Sequence, residues 1–572
     1  MLKRIFFFAL LALASSYPAY AQYLSPGGSN YAWYRVGVTQ TNPCDREPYG
    51  VIYNYDVETA TINSQLQAMY SNGQRRLRIP IFFGRGLNTG TVMDSTGGNL
   101  SPRFRYNLAN FLNSVRQHGF VEIEVSFHPI TYAPVGAHND PTTWGAFSED
   151  YYQENWNVIA NLRPIIIGAG IPYLLDLTNE AIPNSNQSAL LHYARRLWSD
   201  YTSTFGKNDT VGFSVVGDEP GRVQQIPAVY QGNYPYLFDM HFYDNAGSNF
   251  VSVRNTLANW GLTQGWIIGE TFYDDPQEAR ELEQAIYSTG QTVFFVLQWP
   301  LTRTSPCAHV NVGVPLTNTA YYNNVQNPID DSQFFVRQQY LDFLSREPDP
   351  DGFRSWLTVL QNCSDVNNNP ACDRITVSSS FFRGNEFQLK GFYVYRFYKL
   401  AFNRLPLYEE IMPDMNYVSG STPQEVYQRK AQLAELFTQR PEFQANFGGK
   451  SNSEYVAILM SRYQLTSITT FDPANPDGAQ KVTLTNADLV HRLNTNMLSR
   501  AQVLRAVADS DEVGGREYNQ AFVAMQYYGY LRRTPDEAGY HGWLNYLNAN
   551  PTDFRTMING FMNSNEYRSR FG

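Results

Sequence analysis

Two glutamates in this chain occupy the same local setting. Glu180 closes the stretch Pro172-Tyr-Leu-Leu-Asp-Leu-Thr-Asn-Glu180, and Glu270 closes Trp266-Ile-Ile-Gly-Glu270. Each stretch is short and apolar enough to be a buried strand that carries a carboxylate at its end. In the first, Leu175 and Leu177 point one way while Asp176, Thr178 and Glu180 point the other, because side chains alternate along a strand. Two carboxylates on two strand ends suit the hydrolysis of a glycosidic bond. One protonates the leaving oxygen, and the other attacks the sugar, or activates water, from the opposite face. The chain between them must bring them together.

From Tyr31 onward, apolar or alternating segments recur with helical segments between them, the pattern of a parallel sheet. Strands are expected at 32–38, 76–83, 121–127, 173–179, 211–216, 237–243, 266–269 and 292–298, with helices at 59–70, 106–117, 148–161, 188–201 and 276–289. Eight such units have the size and order of a (β/α)8 TIM barrel over residues 22–305. The alternation sets Leu77, Ile79 and Ile81 against Arg76 and Arg78, and Val121, Ile123, Val125 and Phe127 against Glu122, Glu124, Ser126 and His128. In the sixth strand Phe238, Met240 and Phe242 oppose Asp239, His241 and Tyr243. The apolar faces should meet the outer helices, leaving charges inside the barrel that must pair to be tolerated. Arg76 and Arg78 beside Glu122 and Glu124 supply such partners. A half-exposed antiparallel sheet also alternates, but the intervening helices favour parallel strands.

The C-terminal ends of these strands collect Arg78, His128, Asn179, Glu180, His241, Tyr243, Glu270 and Trp299, where a barrel holds its active site. Arg78 in Arg-Ile-Pro, His128 in Phe-His-Pro, Asn179-Glu180, His241-Phe-Tyr243, Gly269-Glu270 and Trp299, in this order, resemble a retaining glycoside hydrolase of clan A, most like the cellulase and mannanase barrels. The resemblance covers about residues 30–305. It implies Glu180 as general acid and base and Glu270 as nucleophile, with Glu180 protonated at the outset. It further implies Arg78 and Tyr243 holding Glu270 ionised, Asn179 on the sugar 2-hydroxyl, His128 and His241 orienting substrate and carboxylates, and Trp299 under the sugar face. Asp218-Glu219, after the fifth strand, is a competing acid at the same rim.

The remaining signals bound the setting. The chain has 572 residues, 17% charged and 43% hydrophobic, with a net charge of -9; it carries no basic excess for nucleic acid. Lys3 and Arg4, the apolar run from Ile5 to Ala14 and Ala19-Tyr20-Ala21 read as a signal peptide over residues 1–21, so a secreted or otherwise extracytoplasmic protein is expected. No later apolar run is long enough to span a bilayer. In that setting four cysteines suggest two disulfides: Cys363 with Cys372 across a short polar loop, and Cys44 with Cys307 between loops after the first and eighth strands.

After a linker at 306–330 the composition turns helical. Val336…Tyr340…Arg346-Glu-Pro348-Asp349…Gly352…Trp356-Leu357 returns as Val523…Tyr527…Arg533-Thr-Pro535-Asp536…Gly539…Trp543-Leu544 at a constant offset of 187, an internal duplication divided here into copies at 331–450 and 451–572. The pattern resembles a helical module of unknown function in exported bacterial proteins, related to phycobilisome linkers. Asp349, Asp351 and Asp536 lack the alternating ligands and glycine of a calcium loop. This half is expected to be an interaction or spacing module, a docking face for a cell-surface or protein partner, separable from the barrel if the halves are independent. The whole reads as a cofactor-independent, retaining β-glycosidase acting on a polysaccharide such as a β-glucan or β-mannan. The alternative is an inactive carbohydrate-binding or cell-surface protein.

Overall fold

The computed structural model describes residues 25–35, 47–130, 139–300, 328–384, 387–419, 423–474 and 480–571. The expected leader at 1–21, Cys44, Cys307 and nearly all of the linker at 306–330 lie outside the described residues. Ten parallel strands form a curled sheet: β1 (Gly28–Asn30), β2 (Arg76–Gly84), the short β3 (Met93–Asp94) added beside β2, β4 (Glu122–Pro129), β5 (Tyr173–Asp176), β6 (Thr210–Gly212), β7 (Val215–Val216), β8 (Leu237–His241), β9 (Gly265–Glu270) and β10 (Val293–Gln298), in the order β6-β5-β4-β2-β1-β10-β9-β8-β7 once β3 is set aside. β6 and β7 are two pieces of one strand parted by Phe213 and Ser214; the first pairs with β5 and the second with β8, which closes a ring of eight positions.

The first strand departs from expectation. It is Gly28–Asn30, not 32–38, and Trp33 makes only an isolated bridge to Gly50. Its small residues carry no alternating signal, and the reason is steric: a Cβ on Gly28 would stand 1.7 Å from the Arg76 carbonyl oxygen. The expected charge pairing follows the register, in which Arg76 faces Glu122 and Arg78 faces Glu124 across β2 and β4. Leu77, Ile79, Ile81, Ile123 and Val125 pack outward into the main core under the helices. A separate cluster of Leu174, Val211, Leu237, Ile267, Phe294, Phe295 and Leu297 forms near the N-terminal end of the barrel, joined by Phe353 from the helical half.

In that half, a helix runs into a π-helical turn at Tyr340–Leu344, the chain reverses at Ser345 with φ 52°, and Asp349 caps the next helix by accepting from Gly352 N. The same series recurs at Tyr527–Leu531, Arg532 with φ 51° and Asp536. A further occurrence, unnoticed in the sequence, centres on Tyr398 and Asn403 with φ 55°, where Leu407 takes the cap position and the Glu410 side chain accepts from its N–H. In each, an arginine (Arg346, Arg404, Arg533) lies over the tyrosine (Tyr340, Tyr398, Tyr527), its guanidinium carbon 5.0, 5.6 and 5.2 Å from the ring centre. The region also holds one antiparallel ribbon, β11 (Ser467–Phe471) with β12 (Lys481–Thr485), and a disulfide joins Cys363 to Cys372. No helix of the described residues is long and apolar enough to cross a membrane.

Buried contacts join the two halves. Arg337, on the helix Ser332–Gln339, reaches Glu122 of the barrel at 2.7 Å and Glu347 of its own half, with all three side chains buried. Arg76 binds the same Glu122 at 2.7 Å, so one carboxylate serves two guanidinia. Burial alone would push Glu122 up; Arg337 and Arg76 outweigh it and hold the carboxyl at about 2. Arg532 donates to the Val121 carbonyl, and Glu347 N donates to Asn208 O at 3.2 Å. Removing one member of a buried ion cluster strands the others, at a cost of about 3–5 kcal/mol. Arg337→Met is therefore expected to lower the unfolding free energy by that much, seen as a lower denaturant midpoint, without changing far-UV circular dichroism, and a chain ending at residue 330 should not fold to a native-like barrel. An unchanged midpoint, or a stable truncated barrel, would show the halves to be independent.

Candidate active site

The site grows from Arg78, in the middle of β2 and fully buried. Its Nη1 donates to Glu270 Oε1 at 2.5 Å and to Asn30 Oδ1 at 3.1 Å, and its Nη2 to Asp176 Oδ2 at 2.8 Å, Asn179 Oδ1 at 2.8 Å and Ser126 Oγ at 2.9 Å. Its Nε lies 3.3 Å from Glu124. One guanidinium thus gathers side chains from β1, β2's neighbour β4, the end of β5 and β9. Asn30, which also donates to the Gly269 carbonyl at 2.8 Å, stitches β1 to β9. Gly269 is required because a Cβ there would meet Asp239 Oδ1 at 2.3 Å, the oxygen that its own N–H binds at 2.7 Å.

Glu270 receives a second hydrogen bond, from Tyr243 Oη to Oε2 at 2.7 Å. Across from it, Glu180 Oε1 lies 2.9 Å from His241 Nδ1, which is also 3.7 Å from Glu270 Oε2. A carboxylate oxygen of Glu180, a ring nitrogen of His241 and a carboxylate oxygen of Glu270 all stand within 4.8 Å of one another. The two glutamates expected to meet do so across the mouth of the barrel. Glu180 is held in the left-handed region at φ 51°, a conformation that costs a non-glycine residue about 1–3 kcal/mol. Its neighbours fix it there: Glu180 N donates to Ser214 Oγ at 2.8 Å and Arg222 donates to its carbonyl at 2.7 Å. Ser214 sits at the break between β6 and β7, so the same interruption that splits the strand provides the support.

The protonation pattern differs from the expected one. For His241, burial would favour the neutral ring, but Glu270, Asp239 and Glu180 outweigh it and raise the imidazole well above its ordinary range. Burial pushes Glu180 up, yet the hydrogen bond and charge of His241 bring it below the usual carboxylate range. Burial raises Glu270, with Glu180 adding to the rise, against the pull of His241 and Arg78. These opposite shifts favour a charged imidazole between the two carboxylates over the protonated Glu180 first expected. Glu124 is driven well above the carboxylate range by burial and by Asp239. His128 is pushed well down by burial and by the charges of Arg78 and His241.

The other expected residues fall as follows. Asn179 accepts from Arg78, and its amide NH2 has no partner among the described residues. His128 bonds Ser126 Oγ at 3.0 Å and reaches the carboxylates only through Ser126 and Asp176. Trp299, half-buried, meets Trp33 edge-on at 5.5 Å, and Trp33 stacks on Phe82, giving an aromatic wall whose inner members the sequence analysis did not single out. Asp218 is used structurally, accepting from Tyr243 N and Asn249, and Glu219 pairs with Arg222, so neither competes with Glu180. Asn30 and Ser214 were missed, since only a short polar residue near a strand end marks them, and Ser126, assigned to the inward face, was not singled out for the site. Two trios have metal-like spacing, Glu180-His241-Glu270 and Glu124-Asp176-Asp239. In each a protein cation, His241 or Arg78, already lies against the carboxylates.

Residues 513–571 match the model of a domain of unknown function, DUF4214, in agreement with the resemblance of this half to a module without assigned role. No curated protein matches the chain. Among solved structures it is similar to the exo-β-1,4-mannosidase Op5Man5 from Opitutaceae bacterium strain TAV5 (13% identity, 56% of this chain and 68% of that one, TM-score 0.35). It is also similar to the β-mannanase from Streptomyces thermolilacinus (12%, 50% and 82%, TM-score 0.32) and the homocysteine methyltransferase MmuM from Escherichia coli (10%, 44% and 83%, TM-score 0.29).

The histidines give a direct test of the site's electrostatics. In an NMR titration, His241 should keep its proton well above the ordinary value near 6.5 while His128 stays neutral well below it. Glu270→Gln should lower the His241 value, and coincident titration of the two rings near 6.5 would contradict the geometry.

Proposed function

We propose that the barrel hydrolyses O-glycosidic bonds in a β-linked polysaccharide, a β-glucan or β-mannan, by double displacement. The reading is carried by one observation: two carboxylates from opposite strands of the ring lie within a sugar's breadth, one doubly hydrogen-bonded and the other beside a charged imidazole. Glu270, fixed by Arg78 and Tyr243, has both oxygens oriented and is the nucleophile. Glu180 is the acid and then the base. In the free protein the raised His241, 2.9 Å away, is the favoured carrier of that proton. A substrate glycosidic oxygen beside Glu180 would accept that proton through the carboxyl as the bond to the leaving sugar breaks, and Glu270 would bond to the anomeric carbon. Water, deprotonated by Glu180, then releases the sugar with its configuration retained. A carboxylate separation near 5 Å favours this course over inversion, which needs a wider gap for water. Asn179 offers its amide NH2 to a ring hydroxyl, and Trp299 offers a face to the sugar. A secreted or extracytoplasmic location suits a polysaccharide substrate and the Cys363–Cys372 bridge.

Glu180→Gln should lower kcat on an activated or natural substrate by about 10²–10⁴-fold, and Glu270→Gln by at least as much. Tyr243→Phe removes one hydrogen bond to a charged group and should cost about 1.5–3 kcal/mol of transition-state stabilisation. NMR of the first-formed anomer checks the stereochemistry. Inverted product, or full activity in either glutamate variant, rules out the mechanism. Binding to β-glucans and β-mannans without release of any sugar would favour a carbohydrate-binding protein.

A further inference from the structure

A cavity of about 670 Å³ opens in the helical half, away from the barrel mouth. It lies among the helices Tyr393–Phe402, Pro423–Thr438 and Arg500–Ala508 and the strand β11. Its size is that of a site for a small organic ligand.

Three cations converge there on one buried-side carboxylate. Asp509 lies 2.9 Å from Arg396 Nη2, 3.6 Å from Lys430 Nζ and 3.9 Å from Arg505 Nε. Arg396 is further anchored by the Ala508 carbonyl, and Lys430 sits 4.0 Å over the Tyr393 ring. Arg505 is different. It is only 8% exposed, lies 4.3 Å over the Tyr427 ring, and its guanidinium makes no hydrogen bond among the described residues. Its guanidinium lines the cavity with only this long contact to Asp509, which leaves its fork of donors open to an acceptor that enters.

Charge selects the acceptor. Arg396, Lys430 and Arg505 face Asp509 and the exposed rim residue Glu435, which leaves one surplus positive charge, suited to one carboxylate group at a time. Lys430 is pushed down to about 8, by burial first and then by its two arginine neighbours, a condition that a bound anion would relieve. The rest of the cavity suits a sugar body: Phe471, 41% exposed on β11, presents a ring for stacking, and Gln432 and Gln502, whose carboxamide oxygens accept from Tyr417 and Ser499, keep their NH2 groups for hydroxyl oxygens. We infer that this cavity binds a carboxylated sugar, a uronic acid residue, with its carboxylate on the Arg505 fork and its ring against Phe471. The site does not depend on the barrel's chemistry.

Isothermal titration of the whole protein with digalacturonate tests this, with cellobiose as the neutral probe and an acetylated Asp-Glu dipeptide as the carboxylate without a sugar. Digalacturonate should bind at least tenfold more tightly than either. Arg505→Gln should weaken it at least tenfold, and Gln432→Trp, which fills the cavity from its rim and leaves all three cations in place, should abolish it. Glu270→Gln should leave the digalacturonate affinity unchanged, so failure of the barrel mechanism and failure of this site are read separately. Equal binding of cellobiose, preferred binding of the dipeptide, absence of binding, or digalacturonate affinity intact in Gln432→Trp would each overturn the proposal.

Discussion

The architecture depends on keeping a guanidinium charged inside a barrel. Arg78 has no access to solvent, so its charge is tolerated only because Glu124, Asp176, Asp239 and Glu270 surround it and Asn30, Ser126 and Asn179 accept its hydrogen bonds. A buried charge demands such partners. The demand fixes geometry: the partners come from β1, β4, the end of β5, β8 and β9, so satisfying one arginine aligns much of the ring and orients Glu270. The same centre holds more acids than cations, a balance that favours retained protons: burial and Asp239 push Glu124 well above the carboxylate range, and Glu270, Asp239 and Glu180 raise His241 against its burial.

A second buried ion cluster, lower in the barrel, shows the same logic used for assembly. Glu122 would have only Arg76 if the barrel stood alone; the helical half completes it with Arg337 and covers the apolar cluster there with Phe353. The helical half thus acts as the floor of the barrel as well as a module in its own right. Its recurring tyrosine, left-handed residue and capped helix explain why a short sequence pattern survives in copies whose surfaces differ: the pattern specifies a chain reversal, while the surroundings vary. One of those surroundings is the cationic cavity on Asp509.

Much of this was legible in the sequence. The period of two along 76–83 and 121–128 assigned the inward faces, and the strand ends named the residues that meet at the mouth, because alternation and strand order are local properties. The duplication at offset 187 was equally open to view, as was the Cys363–Cys372 bridge across its short loop. The occurrence around Tyr398 was not, since Leu407 replaces the capping aspartate and Glu410 supplies the cap from the other side.

Tertiary structure decided the rest. The first strand is Gly28–Asn30 because only a glycine fits against the Arg76 carbonyl, a contact made with a segment about fifty residues away. Ser214 and Asn30 gain their roles from the broken fifth strand and the closing of the ring, neither of which leaves a periodic trace. The opposite shifts of His241 and Glu180 arise from carboxylates that separate segments bring around one ring, and the docking of Arg337 on Glu122 joins positions 215 residues apart. Sequence patterns carry which way a side chain faces; energies that depend on distance across the fold are fixed only when the chain has closed on itself.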